Sequence, residues 1–276
     1  MNSLKPRLLT AVVGISLLIL VIFVGEMWSP SMQILVGIAS AFMVGEYLNA
    51  KKLLKILPLS LPCMAFSAVL PFLIATNYLY IALFLFMIMA FAVMIGMHTK
   101  ISYADIAFAV TGTLLISFGM SCLSTVCSLG SSFAFFFVAA FALPWMADAG
   151  GFFIGASMGK HKLCPNISPK KTVEGAIGGV IFCVISAVIV GLIFENFILS
   201  NAKINYLALI ILAVIDAPIS ILGDLSFSLI KRNLNIKDYG SIFPGHGGVL
   251  DRFDSIIFTA PVVLILNQYI PFITLG

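Results

Sequence analysis

The chain has 276 residues, of which 61% are hydrophobic and only 9% charged, and it carries a net charge of +4. A mean hydropathy of +1.16 excludes a water-soluble globular fold. Runs this long without period-2 alternation also exclude a membrane β-barrel, which leaves an all-α, polytopic integral membrane protein.

In chain order, the apolar runs predict about nine transmembrane helices, near residues 8–25, 31–50, 56–76, 78–97, 104–126, 131–156, 173–194, 204–227 and 255–272. The first resembles a signal peptide in having Lys5 and Arg7 before an apolar run. It is nevertheless expected to stay as an uncleaved helix, because LLTAVVGISLLILVIFVG is long and lacks a small-x-small site before Glu26. Nine crossings place residues 1–7, 51–55, 98–103, 157–172 and 228–254 on one side of the bilayer. Of the fifteen Lys and Arg, only Lys203 falls on the other side, so the first side is expected to be cytoplasmic. The positive charge gathered there suits anionic lipid or a phosphorylated solute.

No soluble domain or internal repeat is evident, and residues 1–276 are expected to form one integral membrane domain. Within it, residues 1–140 supply N-terminal transmembrane helices with few polar groups. Residues 141–276 hold nearly all the unusual polar groups and are expected to be the catalytic region. Cys63, Cys122, Cys127 and Cys183 lie inside apolar runs and Cys164 stands alone, without ligand spacing, so all five are expected to be ordinary thiols. Glu46 and Asp216 also lie inside apolar runs, where helix packing or proton sharing is the expected role.

The first polar cluster is PWMADAGGFFIGASMGKHKLCPNISPKKTVEGAIGG, residues 144–179. Asp148 lies near the cytoplasmic end of a span, and a loop with Lys160, His161, Lys162, Lys170 and Lys171 follows. Thr172, with Gly175 three positions on, is an expected N-cap, and Glu174 lies in the first turn of that helix. A helix N-terminus beside two lysines suits phosphate; a loop that only anchors topology is the alternative.

The second cluster is GDLSFSLIKRNLNIKDYGSIFPGHGGVLDRFDS, residues 223–255. On a continuing helix Asp224, Ser228 and Lys231 share one face, with Arg232 beside them. PGHGG supplies a turn in which Gly247 and Gly248 let backbone approach a ligand, and His246 is expected to bind or orient. Asp251 and Asp254 share a face of the next helix, with Arg252 between them, and Lys237 lies upstream. Carboxylates at a membrane surface are expensive and mark functional sites. Carboxylates from two helices, with Lys and Arg nearby, suit Mg²⁺ bridging phosphate oxygens. An ion-paired structural loop is the alternative.

From Gly223 to Ser255 the pattern GDLxxSxxKRxxxIKDxGxxxPGHGGxLDRxDS resembles the signature of the phosphatidate cytidylyltransferases, or CDP-diglyceride synthases. WMAD…GKHKLCPNISPKKTVEG is similar to that family's second block, so the resemblance covers about residues 144–255. It implies synthesis of CDP-diacylglycerol and pyrophosphate from CTP and phosphatidate, for phospholipid biosynthesis, at the cytoplasmic face of the cell (inner) membrane. Mg²⁺ is the implied cofactor, with Asp224 and Asp251 as its ligands and room for a second, monovalent cation. Asp254 would act as a further ligand, and Lys231, Arg232, Lys237 and Arg252 would neutralise phosphate charge. Asp148, Lys160, Lys170, Lys171, Thr172, Glu174, Ser228, Gly247 and Gly248 would bind substrate. CTP, phosphatidate and membrane lipid are the implied partners, with no nucleic acid, and the family suggests a homodimer. Two departures stand out: Phe227 where the family has an acidic residue, and Ala156 where a basic one is usual. A transporter using intramembrane carboxylates is the alternative function, but its polar groups should line the midplane. A CDP-alcohol phosphotransferase would carry DGxxAR…GxxxDxxxD, which this chain lacks.

Overall fold

A computed structural model describes residues 4–28, 30–129, 132–199, 202–242 and 247–275. Among the described residues there are nine α-helices: α1 (Leu4–Met27), α2 (Pro30–Ala50), α3 (Leu57–Leu73), α4 (Tyr78–Gly96), α5 (Tyr103–Leu129), α6 (Phe133–Met158), α7 (Val173–Phe197), α8 (Tyr206–Asn233) and α9 (Leu250–Tyr269). They match the nine apolar runs, so the chain is nearly all helical, as a polytopic membrane protein is. Six of them (α2 and α4 to α8) are long and apolar enough to cross a membrane; α3 and residues 16–27 of α1 are shorter apolar helices. Pro62 and Pro71 lie inside α3, Pro144 inside α6, Pro218 inside α8 and Pro261 inside α9. Membrane helices tolerate such prolines where neighbouring groups satisfy the freed carbonyls.

Among the described residues, four short strands lie outside the long helices. β1 (Lys162–Cys164) pairs antiparallel with β2 (Ser168–Thr172), with Lys162 opposite Thr172 and Cys164 opposite Ser168. The segment 157–172, expected as a loop, therefore contains a hairpin. Its sequence carries no long alternation, and five residues are enough for such a ribbon. β3 (Ala202–Ile204) pairs with β4 (Ile273–Leu275), tying the start of α8 to the chain beyond α9.

The chain divides into two compact units. One comprises Met1–Ser128 with Asn233–Phe253, the other Leu129–Arg232 with Asp254–Gly276. In the first, α2 packs on α3 and α3 on α4. Tyr47 of α2 stacks on Phe108 of α5 with ring centroids 4.2 Å apart and planes 7° from parallel. Lys51, just past the end of α2, bridges Asp105 of α5 at 2.6 Å. In the second unit, α6 and α7 form the closest helix pair, and glycine is the reason. A Cβ on Gly178 would lie 2.5 Å from Ile154, and one on Gly179 would lie 2.8 Å from the Ala147 carbonyl oxygen. Small residues let membrane helices approach backbone to backbone.

Candidate active site

In the second unit the polar groups are brought together by α6, β2, α8 and α9. Thr172 ends β2 and caps α7: its Oγ1 accepts a hydrogen bond from the Gly175 N–H at 3.1 Å, as the spacing predicts. Alternation along β2 then separates the two lysines, with Lys170 exposed and Lys171 turned inward. The Lys171 ammonium lies 2.5 Å from Asp224 Oδ2 of α8 and makes no further hydrogen bond among the described residues. Ser228 Oγ, one turn beyond Asp224, donates to Asp224 Oδ1 at 3.4 Å, so the shared helical face is real.

Asp254, in the second turn of α9, is only 9% exposed, and its Oδ1 accepts from the Ser255 N–H at 2.8 Å. Its carboxylate feels Asp224 and Asp148 as repulsive charges and Lys231 as an attractive one. Asp148 is surface-accessible on α6; its Oδ2 lies 3.5 Å from Ser255 Oγ, and it feels the charges of Lys171 and Asp224. Three carboxylates and two ammonium groups thus share one electrostatic neighbourhood. A water-sized cavity of about 40 Å³ opens there, lined by Asp148, Lys171, Thr172 and Gly175 among others.

The hairpin is held from two sides. Glu174, in the first turn of α7, accepts from the Lys160 N–H at 3.1 Å and the His161 N–H at 3.2 Å. Its Oε1 also lies 2.6 Å from His161 Nδ1. Arg232, at the end of α8, donates from Nε to the Ile167 carbonyl oxygen at 3.4 Å. Glu174 is thus used for loop architecture, while the Lys160 and Lys170 side chains remain in solvent.

Phe227 is fully buried and meets Phe258 of α9 edge to face, with centroids 6.2 Å apart. The chain therefore puts an aromatic packing contact where the related signature has an acid, on the helix that carries Asp224. Ala156 is exposed on α6.

In the first unit, Asp251 is the first acidic residue of α9 and is 8% exposed. Its Oδ2 accepts from the Tyr239 N–H at 2.8 Å and the Gly248 N–H at 3.0 Å. Gly247 has φ +85, a left-handed conformation that suits glycine, and a Cβ there would lie 3.1 Å from Asp251 Oδ2. Lys237 and Arg252 are exposed. His246 lies outside the described residues.

Glu46, expected to pack helices or share a proton, instead binds this loop. Its carboxylate accepts from the Val249 N–H at 3.1 Å and the Leu250 N–H at 2.8 Å. The available signal was its cost: a carboxylate in an apolar helix rarely lacks a specific partner.

Among the described residues, no group of three His, Cys, Asp or Glu side chains is arranged to hold a metal ion. Mg²⁺ asks for less. It takes one or two carboxylates and fills its octahedron with water and phosphate oxygens. The hard oxygens of Asp224 and Asp254, crowded by like charge, fit that demand.

The profile of the cytidylyltransferase family matches residues 5–270. A protein of Bacillus subtilis named phosphatidate cytidylyltransferase is 30% identical over 278 aligned positions, covering 96% of this chain and 98% of that one. Proteins of the same name from Staphylococcus saprophyticus and Staphylococcus haemolyticus are 41% and 40% identical over 167 positions. There the match spans about three fifths of each relative, 61% of its length. With its profile running from α1 through α9, the chain belongs to the cytidylyltransferase family.

Proposed function

We propose that this protein is a phosphatidate cytidylyltransferase that makes CDP-diacylglycerol and pyrophosphate from CTP and phosphatidate. The observation that carries the reading is the gathering of Asp148, Lys171, Asp224, Lys231 and Asp254 from four elements of one unit. Like-charged carboxylates kept together, with ammonium groups beside them, suit a cation and a polyphosphate. The names of the relatives, one of them matched nearly end to end, support the substrate class.

A phosphate oxygen of phosphatidate attacks the α-phosphorus of CTP; the bond from that phosphorus to the β-phosphate oxygen breaks, and pyrophosphate leaves with the electron pair. The attacking oxygen is already an anion and needs no general base, so positioning and charge neutralisation dominate. Lys171 and Lys231 neutralise phosphate charge close to Asp224 and Asp254, and exposed Lys160, Lys170, Arg232, Lys237 and Arg252 attract the incoming nucleotide. Thr172 and Glu174 shape the hairpin that presents Lys171. Mg²⁺, held through Asp224 and Asp254 in one unit or through Asp251 in the other, would neutralise charge on the triphosphate and the leaving pyrophosphate. His246, Gly247 and Gly248 contribute to binding through the glycine-rich turn.

Purified protein in detergent micelles, given CTP, phosphatidate and Mg²⁺, should release CDP-diacylglycerol and pyrophosphate in equal amounts. Product that forms without either substrate, or no product with both present, would reject the reading. The site is expected to face the cytoplasm. In a Cys164→Ser background, Ser241→Cys should react with an impermeant thiol reagent only after permeabilisation. Asn196→Cys, at the far end of α7, should react in intact cells; the reverse pattern would invert the orientation.

A further inference from the structure

We infer that Glu46 is a positioning residue for the transfer reaction, fixing the backbone that carries Asp251. The inference rests on the cytidylyltransferase reading above. Two carboxylates together take four backbone N–H groups of one segment: Asp251 takes Tyr239 and Gly248, and Glu46 takes Val249 and Leu250. Val249 and Leu250 stand at the start of α9, where N–H groups have no partner within their own helix and the dipole favours negative charge. Glu46 supplies that missing cap from α2, some 200 residues away in sequence; the separation from Leu250 is 204.

The surroundings are shaped for the carboxylate. A Cβ on Gly248 would lie 2.6 Å from both Glu46 oxygens, and one on Gly240 would overlap Glu46 Oε1. The two glycines therefore leave room that a side chain would take from Glu46. A glutamate that only packed helices would require neither gap. Glu46 is itself held in place, since the next residue, Tyr47, stacks on Phe108 and tilts against Tyr239 at 6.1 Å. Lys51 pins the same end of α2 to Asp105 at 2.6 Å. The loop flanks and Asp251 are thus referenced to α2 and α5 through Glu46.

The test uses full-length Glu46→Gln in micelles, with steady-state kinetics, thermal unfolding and hydrogen exchange read on the same preparation. Glutamine keeps the volume but presents an NH₂ to at least one of two N–H groups. The expected result is a kcat lower by about tenfold to a hundredfold, the scale of a roughly 1 Å misplacement, with KM for CTP near wild type and a melting temperature lowered by about a few degrees, the cost of opposing one N–H donor. Exchange at the Gly248–Leu250 amides, measured without substrate or metal, should quicken at least about tenfold. Gly240→Ala supplies the second arm. Its added methyl collides with the carboxylate, so it should impair the wild type yet add less than about twofold to Glu46→Ala, where the nearest obstacle left is the Gly248 Cα at 3.1 Å.

Unchanged kcat in Glu46→Gln, or a lost kcat with unchanged exchange at 248–250, would overturn the inference. If the wild-type protein itself makes no CDP-diacylglycerol, the functional reading fails instead. Unchanged exchange would then also remove Glu46 as the clamp, and faster exchange would keep it as the clamp of a site for another reaction.

Discussion

Asp224 and Asp251 begin as matching halves of one sequence signature, but their surroundings differ in kind. Asp224 meets side chains: an ammonium at 2.5 Å and a hydroxyl at 3.4 Å, with two further carboxylates in electrostatic reach. Asp251 meets backbone: two N–H groups on one oxygen, in a loop that Glu46 also grips. A carboxylate held by side-chain charge can exchange its partner for a cation or a phosphate when substrate arrives. One held by backbone N–H groups keeps its place while the ligand changes. The first arrangement supplies adaptable charge, and the second supplies a fixed reference.

The largest test of that contrast is Asp224→Asn. Removing the charge while keeping the shape should lower kcat by about a hundredfold to a thousandfold or more, with the melting temperature nearly unchanged. Asp251→Asn can turn its amide oxygen to both the Tyr239 and Gly248 N–H groups, so it should lose a similar factor in kcat with little change in melting. Asp251→Ala leaves both donors without that acceptor and should melt earlier than Asp224→Ala. Equal melting temperatures for the two alanine variants would break the distinction between adaptable and fixed carboxylates.

Lys171→Ala comes next. It strips Asp224 of its ammonium and leaves three carboxylates with less compensation, so kcat should fall and KM should rise together, by about tenfold or more. Lys170→Ala, one residue away on the exposed face of β2, should change only an apparent KM, by a factor of about five or less. If the two lysines behave alike, the inward turn of Lys171 is irrelevant to function.

The smallest effect on catalysis is expected at Phe227. Phe227→Tyr places a hydroxyl on a fully buried ring against Phe258 and should lower the melting temperature while leaving kcat within about threefold. A large loss of kcat with unchanged melting would mean that Phe227 touches substrate.

Much of this was legible before any coordinates. The nine apolar runs became nine helices because membrane helices advertise themselves by length alone. The Thr172 cap and the Asp224–Ser228 face followed from local geometry, which depends only on spacing. The hairpin at 162–172 was not legible, since a five-residue strand has too few positions to show a period. The pairing of Lys171 with Asp224 was equally hidden: nothing in SPKKT says which lysine turns inward until the β2 register is known. Glu46 was hardest, because its partners are backbone groups 203 and 204 residues away, and backbone leaves no mark on side-chain patterns.

The glycine contact between α6 and α7 has a consequence for traffic in the bilayer. Under the proposed function a phosphatidate molecule would keep its acyl chains among neighbouring lipids while its head reached Asp224 and Lys171, and it would have to slip in sideways between helices. Between α6 and α7 that doorway is shut: even one methyl on Gly150 would come within 2.5 Å of Phe182, and one on Gly175 within 2.6 Å of the Gly151 carbonyl oxygen. A seam too tight for a single carbon cannot admit a fatty-acid tail. On that reading the lipid's entrance would lie on another side of the acidic cluster, and a bulky, membrane-soluble crosslinker carried on phosphatidate should leave Gly151 and Gly179 unmarked while labelling the residues that line that entrance.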